Sequence, residues 1–300
     1  MDPTAPIPPR DVADLHERIL GWYDVHAREL PWREPSCTPW GVLVSEVMSQ
    51  QTPVARVAPV WLEWMDRWPT PSDLAAASAG DVVRAWGRLG YPRRGLRLRE
   101  AAVAITQRHG GVVPRDEADL RALPGIGPYT AAAVVAFAFG GRTTVVDTNV
   151  RRVLARVVTG REQAAPALTA AETALAASFV PHDLATSATW NVAVMELGAL
   201  VCRARAPRCD ACPVLDRCAW VARGRPAHDG PPRRGQAWHG TDRQVRGAVL
   251  QVLRDAPGPV PHTALRAAGP DAGQLDRCLA SLVEDGLLEP VGSDRYRLPA

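Results

Sequence analysis

Leu123-Pro124-Gly125-Ile126-Gly127-Pro128-Tyr129-Thr130 stands between a short polar segment, Glu117 to Ala122, and a long apolar one, Ala131 to Phe139. Both flanks read as helices, so the eight residues between them make a helix-hairpin-helix. Gly125 and Gly127 suit a tight turn, and backbone N–H groups at the start of the second helix favour an anionic oxygen such as a DNA phosphate. A contact of that kind fixes a duplex in place without reading its bases. Two glycines between helices also make an ordinary turn, so the hairpin takes its meaning from its surroundings.

Downstream, the apolar run Thr144-Val145-Val146 leads into Asp147-Thr148-Asn149 and a helix from Val150 to Val158. Asp147 or Thr148 reads first as an N-cap. The functional alternative is that the Asp147 carboxylate faces a pocket and stabilises a cationic transition state. Upstream, Trp40 to Thr52 is a helix whose apolar Val42, Leu43, Val44, Val47 and Met48 leave Ser45, Glu46, Ser49 and Gln50 on a neutral polar stripe. Glu46 is the one charge between Glu34 and Arg56. A carboxyl so placed should have its pKa raised and serve as a general acid near neutrality; the plainer reading is an ordinary amphipathic helix. An acid, a carboxylate and a DNA-docking hairpin together suggest cleavage of an N-glycosidic bond. Protonating a purine ring nitrogen makes the base a leaving group, and the second carboxylate supports an oxocarbenium-like sugar. The base must first leave the stack.

Cys202, Cys209, Cys212 and Cys218 form a C-x6-C-x2-C-x5-C array. Thiolates packed this closely suit an iron-sulfur cluster or a structural zinc. Zinc modules more often present two Cys-x-x-Cys pairs, and this array has one; spacing alone leaves zinc open. Disulfides need an oxidising compartment, and Met1 to Arg10, proline-rich without an apolar core, does not read as a signal peptide.

The net charge of +3 argues weakly for nucleic acid, and local arginines say more. Arg142, Arg151, Arg152 and Arg156 stand against one acid, Asp147, and Arg84 to Arg99 is also arginine-dense. Such patches suit phosphate, with a solvated helix face as the plainer reading. All 35 basic residues are arginine, so no side-chain amine can form a Schiff base. No stretch is long and apolar enough for a membrane span. From Asp11 to about Gly224 the chain is expected to be mainly α, with helices at Asp11 to Glu29, Trp40 to Gln51, Ala58 to Arg67, Leu96 to Arg108, Pro128 to Phe139 and Thr169 to Phe179. A Gly/Pro/Arg-rich linker at 224–242 follows. The remainder, 243–300, reads as a small winged-helix-like module: helices at Arg243 to Arg254 and Gly273 to Leu288, a shorter segment at His262 to Ala268, and a closing hairpin at Tyr296 to Leu298. DNA binding and a structural role are both open for it, since its charges balance.

In order and spacing, Ser45 to Thr52, Leu123 to Thr130, Val145 to Arg156, Trp190-Asn191 through Met195 to Ala199, and the four cysteines resemble the adenine DNA glycosylases of the MutY family, within the helix-hairpin-helix (endonuclease III) superfamily. The likeness covers about Leu15 to Ala222. It implies a helix-hairpin-helix DNA glycosylase fold: a six-helix barrel at about 31–140, and a [4Fe-4S] cluster domain from about 11–30 plus 141–223. Residues 1–223 would then be the catalytic region, flanking a DNA-binding cleft. By position, the resemblance makes Glu46 the proton donor and Asp147 the transition-state stabiliser, assisted by Asn149. Trp32 and Arg33 resemble the base-pocket wall. Gln51, Thr52 and Tyr91, with Gln50, resemble residues that approach or wedge beside the opposing lesion base. Gly125 and Gly127 would meet DNA, and the four cysteines would hold the cluster.

Endonuclease III-like relatives carry a lysine where this chain has Tyr129, and break the strand through an imine. The expectation here is a monofunctional glycosylase that uses water and leaves an abasic site. Its partner would be double-stranded DNA with adenine opposite 8-oxoguanine or guanine. Thymine in T:G pairs is the runner-up, because Tyr129 also suits such relatives, and a non-catalytic iron-sulfur redox sensor on DNA is the alternative of another class. A monomer in the cytoplasm, associated with the nucleoid and not with membrane, is expected. The chain departs from the family pattern at Ser49, Pro92 and Val192. Gly240 to Ala300 is also too short for the Nudix-like domain with which most members sense 8-oxoguanine. Either Gln51, Thr52 and Tyr91 read the lesion unaided, or discrimination against plain A:G pairs is weaker.

Overall fold

The computed structural model describes residues 9–230, 238–269 and 271–300. Positions 231–237 of the expected linker, and residues 1–8, lie outside the described residues. In chain order the helices are α1 (Pro9–His26), α2 (Pro39–Ser49), α3 (Val54–Arg67), α4 (Pro71–Ala76), α5 (Ala79–Trp86), α6 (Arg93–Arg108), α7 (Glu117–Arg121), α8 (Pro128–Phe139), α9 (Thr148–Leu154), α10 (Ala170–Ser178), α11 (Leu184–Leu200) and α12 (Ala219–Ala222). Then come α13 (Asp242–Asp255), β1 (Val260–Pro261), α14 (His262–Leu265), α15 (Ala272–Glu284), β2 (Glu289–Val291) and β3 (Arg295–Arg297). The mainly helical expectation holds.

The described residues divide into two compact units. One comprises 9–34, 115–117 and 127–230; the other comprises 35–114, 118–126 and 238–300. The hairpin is therefore shared: Gly125 and Ile126 end the second unit's stretch, and Gly127 opens α8 in the first. α8 itself, placed from the sequence within the 31–140 stretch, groups with α9 and α11.

In the first unit, Leu15 and Ile19 of α1, Val150 and Val153 of α9, and Trp190, Val194 and Leu197 of α11 form one core. The cysteine-bearing arm adds Val214 and Trp220 to it. Asp183 caps α11 by accepting the Thr186 N–H at 2.8 Å.

In the second unit, α2 is enclosed along nearly its whole length, from Trp40 to Met48. Trp64 of α3 meets Trp68 and Trp86 edge-on, with centroids 4.8 and 5.6 Å away. α4 starts on a capping box of Thr70 and Asp73, and α5 on Ser78. The C-terminal segment has the order helix, strand, two helices, hairpin, with a small antiparallel sheet β1-β3-β2 that pairs Val260 with Tyr296 and Pro290 with Tyr296. Its core, from Val245 and Val249 of α13 to Leu275 and Leu282 of α15, takes in Val83 of α5.

Candidate active site

Asp147 is the N-cap of α9, as its local sequence first suggested. Its Oδ1 accepts the Val150 N–H at 2.7 Å, while its Oδ2 accepts Asn149 Nδ2 at 2.7 Å. Capping and aiming are thus one geometry, because the cap fixes the carboxylate's rotamer. Desolvation pushes its pKa above the usual range, against hydrogen bonds from Val150 and Asn149 and the charge of Arg152. A carboxylate short of water gains strongly from any positive charge that develops nearby. The lead-in is pinned by the buried Asn191, whose Oδ1 accepts the Val145 N–H and whose Nδ2 donates to Thr143 O, both at 3.0 Å.

Behind Asn149 lies Arg152. Its Nη2 donates to Asn149 Oδ1 at 2.6 Å and to Gly198 O at 2.7 Å, and its Nε donates to Cys202 O at 2.6 Å. Position 198 must be glycine for this approach: a Cβ there would stand 2.6 Å from Asn149 Cβ. One guanidinium therefore links the first cysteine's backbone to the Asp147–Asn149 pair. Arg152→Leu is expected to free the Asn149 side chain and quicken amide hydrogen exchange at Val150, with exchange in α1 as in the parent chain. Unchanged exchange at Val150 would contradict it.

The four cysteine side chains line one cavity with Arg156, Leu197, Val201, Leu215 and Trp220. Among the described residues no three His, Cys, Asp or Glu side chains are drawn in around a single ion; the thiols share a cavity wall instead. Arg156 is 2 % exposed and lies 4.8 Å from the Trp220 ring centroid. It donates to Arg203 O at 2.8 Å and approaches Cys202 Sγ at 3.5 Å. A buried cation beside four thiols suits an anionic group bound among them.

The Leu30 to Arg33 turn is fastened by Glu196 of α11, which is 1 % exposed. Arg28 forks onto both of its oxygens, at 2.7 and 2.9 Å, and Arg33 Nη2 donates to Oε2 at 3.0 Å. These guanidiniums hold the Glu196 pKa down to about 2. Arg33 also lies 5.9 Å from the Tyr23 ring centroid, and Trp32 is buried.

In the second unit, Glu46 is 9 % exposed on the enclosed α2 beside the buried Ser45. Ser49 and Gln50 of the same stripe are half-buried, so the stripe does not lie open to solvent as it would on an ordinary amphipathic helix. Beyond α2, Gln51 (φ 54°) and Tyr91 (φ 47°) occupy the left-handed region that disfavours residues with a Cβ. Arg94 ties their two turns together: it donates to the carbonyls of Val47, Gln50, Leu89 and Gly90 and to Thr52 Oγ1. Gly125 has φ 74°, and a Cβ there would meet Arg97 Cβ at 2.7 Å. Tyr91 is half-exposed, Gln51 exposed and Thr52 buried.

Residues 44–177 match the model of the HhH-GPD superfamily of base excision DNA repair proteins. An adenine DNA glycosylase from Mycobacterium tuberculosis is 52% identical over 292 residues, 97% of this chain and 95% of its own. The chain belongs to the adenine DNA glycosylase family. A second member, from Mycolicibacterium smegmatis, is 51% identical over 93% of this chain and 94% of its own. A thermostable thymine-DNA glycosylase shares the fold with a TM-score of 0.65 and 26% identity, over 71% of this chain and 98% of that one.

For this family member, the first unit brings Asp147, Asn149, Tyr129, Trp32, Arg33 and the four cysteines into one body. The second holds Glu46, Gln50, Gln51, Thr52, Tyr91 and Gly125. Most side chains of the arginine-dense stretch at 141–160 are engaged within the first unit, while Arg142 is also exposed. Arg142 donates to Pro181 O, Arg151 binds Glu172 and Ala165 O, and Arg152 and Arg156 are committed as above. Sequence reasoning passed over Glu196, Arg94 and the roles of Arg152 and Asn191. Their partners lie up to 168 residues away, as Arg28 does from Glu196, and no local pattern marks them.

Proposed function

We propose that the chain is a monofunctional adenine DNA glycosylase of base-excision repair, acting on adenine opposite 8-oxoguanine or guanine in double-stranded DNA. The observation that carries this is the Asp147–Asn149 cap with its desolvated carboxylate, in a chain whose other candidate acid, Glu46, sits on an enclosed helix. Glu46 delivers its proton to a ring nitrogen of the flipped adenine. The C1′–N9 bond breaks, its electron pair leaves with the base, and Asp147 supports the cationic sugar until water adds and loses a proton. Trp32 contributes to the base pocket, while Gln50, Gln51, Thr52 and Tyr91 meet the opposing base. Gly125 and Gly127 bring the hairpin against a phosphate. With tyrosine at 129 and no lysine anywhere, no side-chain amine diverts the sugar into an imine.

Cys202, Cys209, Cys212 and Cys218 would hold a [4Fe-4S] cluster, and the shared cavity and buried Arg156 fit it. Such a cluster supplies a rigid clamp on the exposed Arg203 to Arg208 loop, which we assign to DNA phosphates. Among the described residues no helix is long and apolar enough to cross a membrane. A monomer working on the nucleoid in the cytoplasm fits this reading.

Single-turnover assays on duplexes with A:8-oxoguanine, A:G, T:G and uracil pairs test the substrate. Release from the two adenine pairs is expected. Release from T:G alone would overturn the assignment.

A further inference from the structure

We propose that the C-terminal module, residues 243–300, is an internal brace for the turn that presents Tyr91, and thereby sets how firmly that side chain wedges into the duplex. The inference rests on the wedge reading of Tyr91 given above. The module grips the chain on both sides of this turn. Before it, Arg254 Nε donates to Val83 O at 3.0 Å, Arg84 Nη1 donates to Arg254 O at 3.2 Å, and Arg88 Nε donates to Gln251 Oε1 at 3.3 Å. After it, Arg93 pairs with Asp285 at 3.1 Å. Apolar packing follows the same line, since Val83 is part of the module's core and Leu96 packs against it. At Gly80, a Cβ would stand 2.3 Å from Pro299 O, so the chain's last residues lie flat on the first turn of α5.

The turn needs such support. Gly87, Gly90 and Tyr91 all have positive φ, and Tyr91 is 49% exposed. A left-handed non-glycine residue persists only where its surroundings over-determine it. Arg94 carries the support onward to the Gln51 turn by holding Gln50 O and Gly90 O together. The competing role, DNA binding by the module itself, finds no net positive face to work with. Arg246 is committed to Asp285, Arg254 to Val83 O and Arg297 to Glu289, and the exposed Arg243, Arg266, Arg277 and Arg295 are matched in number by the exposed Asp271, Asp276, Glu284 and Asp294.

The test uses the full chain carrying Gln251→Ala with Asp285→Asn, and Gln251→Ala alone in case the pair folds poorly. Amide hydrogen exchange at 87–91 in the free protein should quicken, while exchange in α11 stays as in the parent chain. Adenine release opposite 8-oxoguanine should slow by about tenfold, and the same changes in a Tyr91→Ala background should add no further loss. Unchanged exchange at 87–91, or a full additional loss on top of Tyr91→Ala, would overturn the brace. The exchange readout needs no DNA. A parent chain that releases no adenine, with quickened exchange in the variants, would therefore refute the glycosylase reading and leave the brace standing.

Discussion

Glu46→Gln and Asp147→Asn are each expected to cut the single-turnover rate of adenine release by about 10²–10⁴-fold, the scale of a positioned acid or charge stabiliser, with duplex binding retained. Both substitutions spare the fold. Glutamine has the volume of the glutamate it replaces on the enclosed α2. Asparagine is itself a good N-cap, so α9 keeps an acceptor for the Val150 N–H. What each loses is chemistry: a transferable proton in one case and a full negative charge in the other. The raised pKa of Asp147 adds a pH signature. The working form is the carboxylate, so activity should fall on the acid side at a higher pH than an ordinary aspartate would dictate. The Asp147→Asn remnant should lack that limb. A non-catalytic DNA-bound redox sensor predicts no change from either substitution.

Glu196→Ala should destabilise the first unit strongly, by about 3 kcal/mol, because it removes a buried carboxylate that two partly exposed guanidiniums share. The pH dependence follows from the direction of the shift. The folded chain holds this carboxyl at about 2 against an ordinary 4.5, so the ionised form favours folding. That linkage is worth about 3 kcal/mol. It is fully present above pH 4.5 and is lost as the pH falls from there towards 2. Denaturant midpoints of parent and variant should therefore lie far apart at pH 7 and converge in acid. A gap that stays constant from pH 7 to pH 3 would contradict the assignment.

The helices with one apolar face, such as α3 and α6, were legible in the sequence because half-buried helices repeat their apolar residues at helical spacing. α11 was not, since Leu184–Leu200 is apolar on nearly every side and shows no face to find. α4 and α5 are short, and their starts are set by Thr70, Asp73 and Ser78 rather than by periodicity. Spacing drew attention to the four cysteines, and the fold lines one cavity with them. Asp147 could be read as a cap or as a functional carboxylate, and the structure makes it a cap with a desolvated carboxylate. The arginines misled, because a guanidinium's charge is written in the sequence while its partner is not. Arg151, Arg152 and Arg156 look inward to carbonyls and to Glu172 and Asn149. Glu46 stood out as a lone charge on a neutral helix, and burial of α2 from Trp40 to Met48 accounts for the neutrality around it.

As proposed, hydrolysis proceeds through an acid and a carboxylate without an amine, and one turnover on a duplex with a single adenine opposite 8-oxoguanine, run with borohydride present and no alkali, puts that to the test. The predicted products are free adenine and an unbroken strand carrying an abasic site, with no protein attached to the DNA. A broken strand, or chain trapped covalently on the DNA, would contradict it.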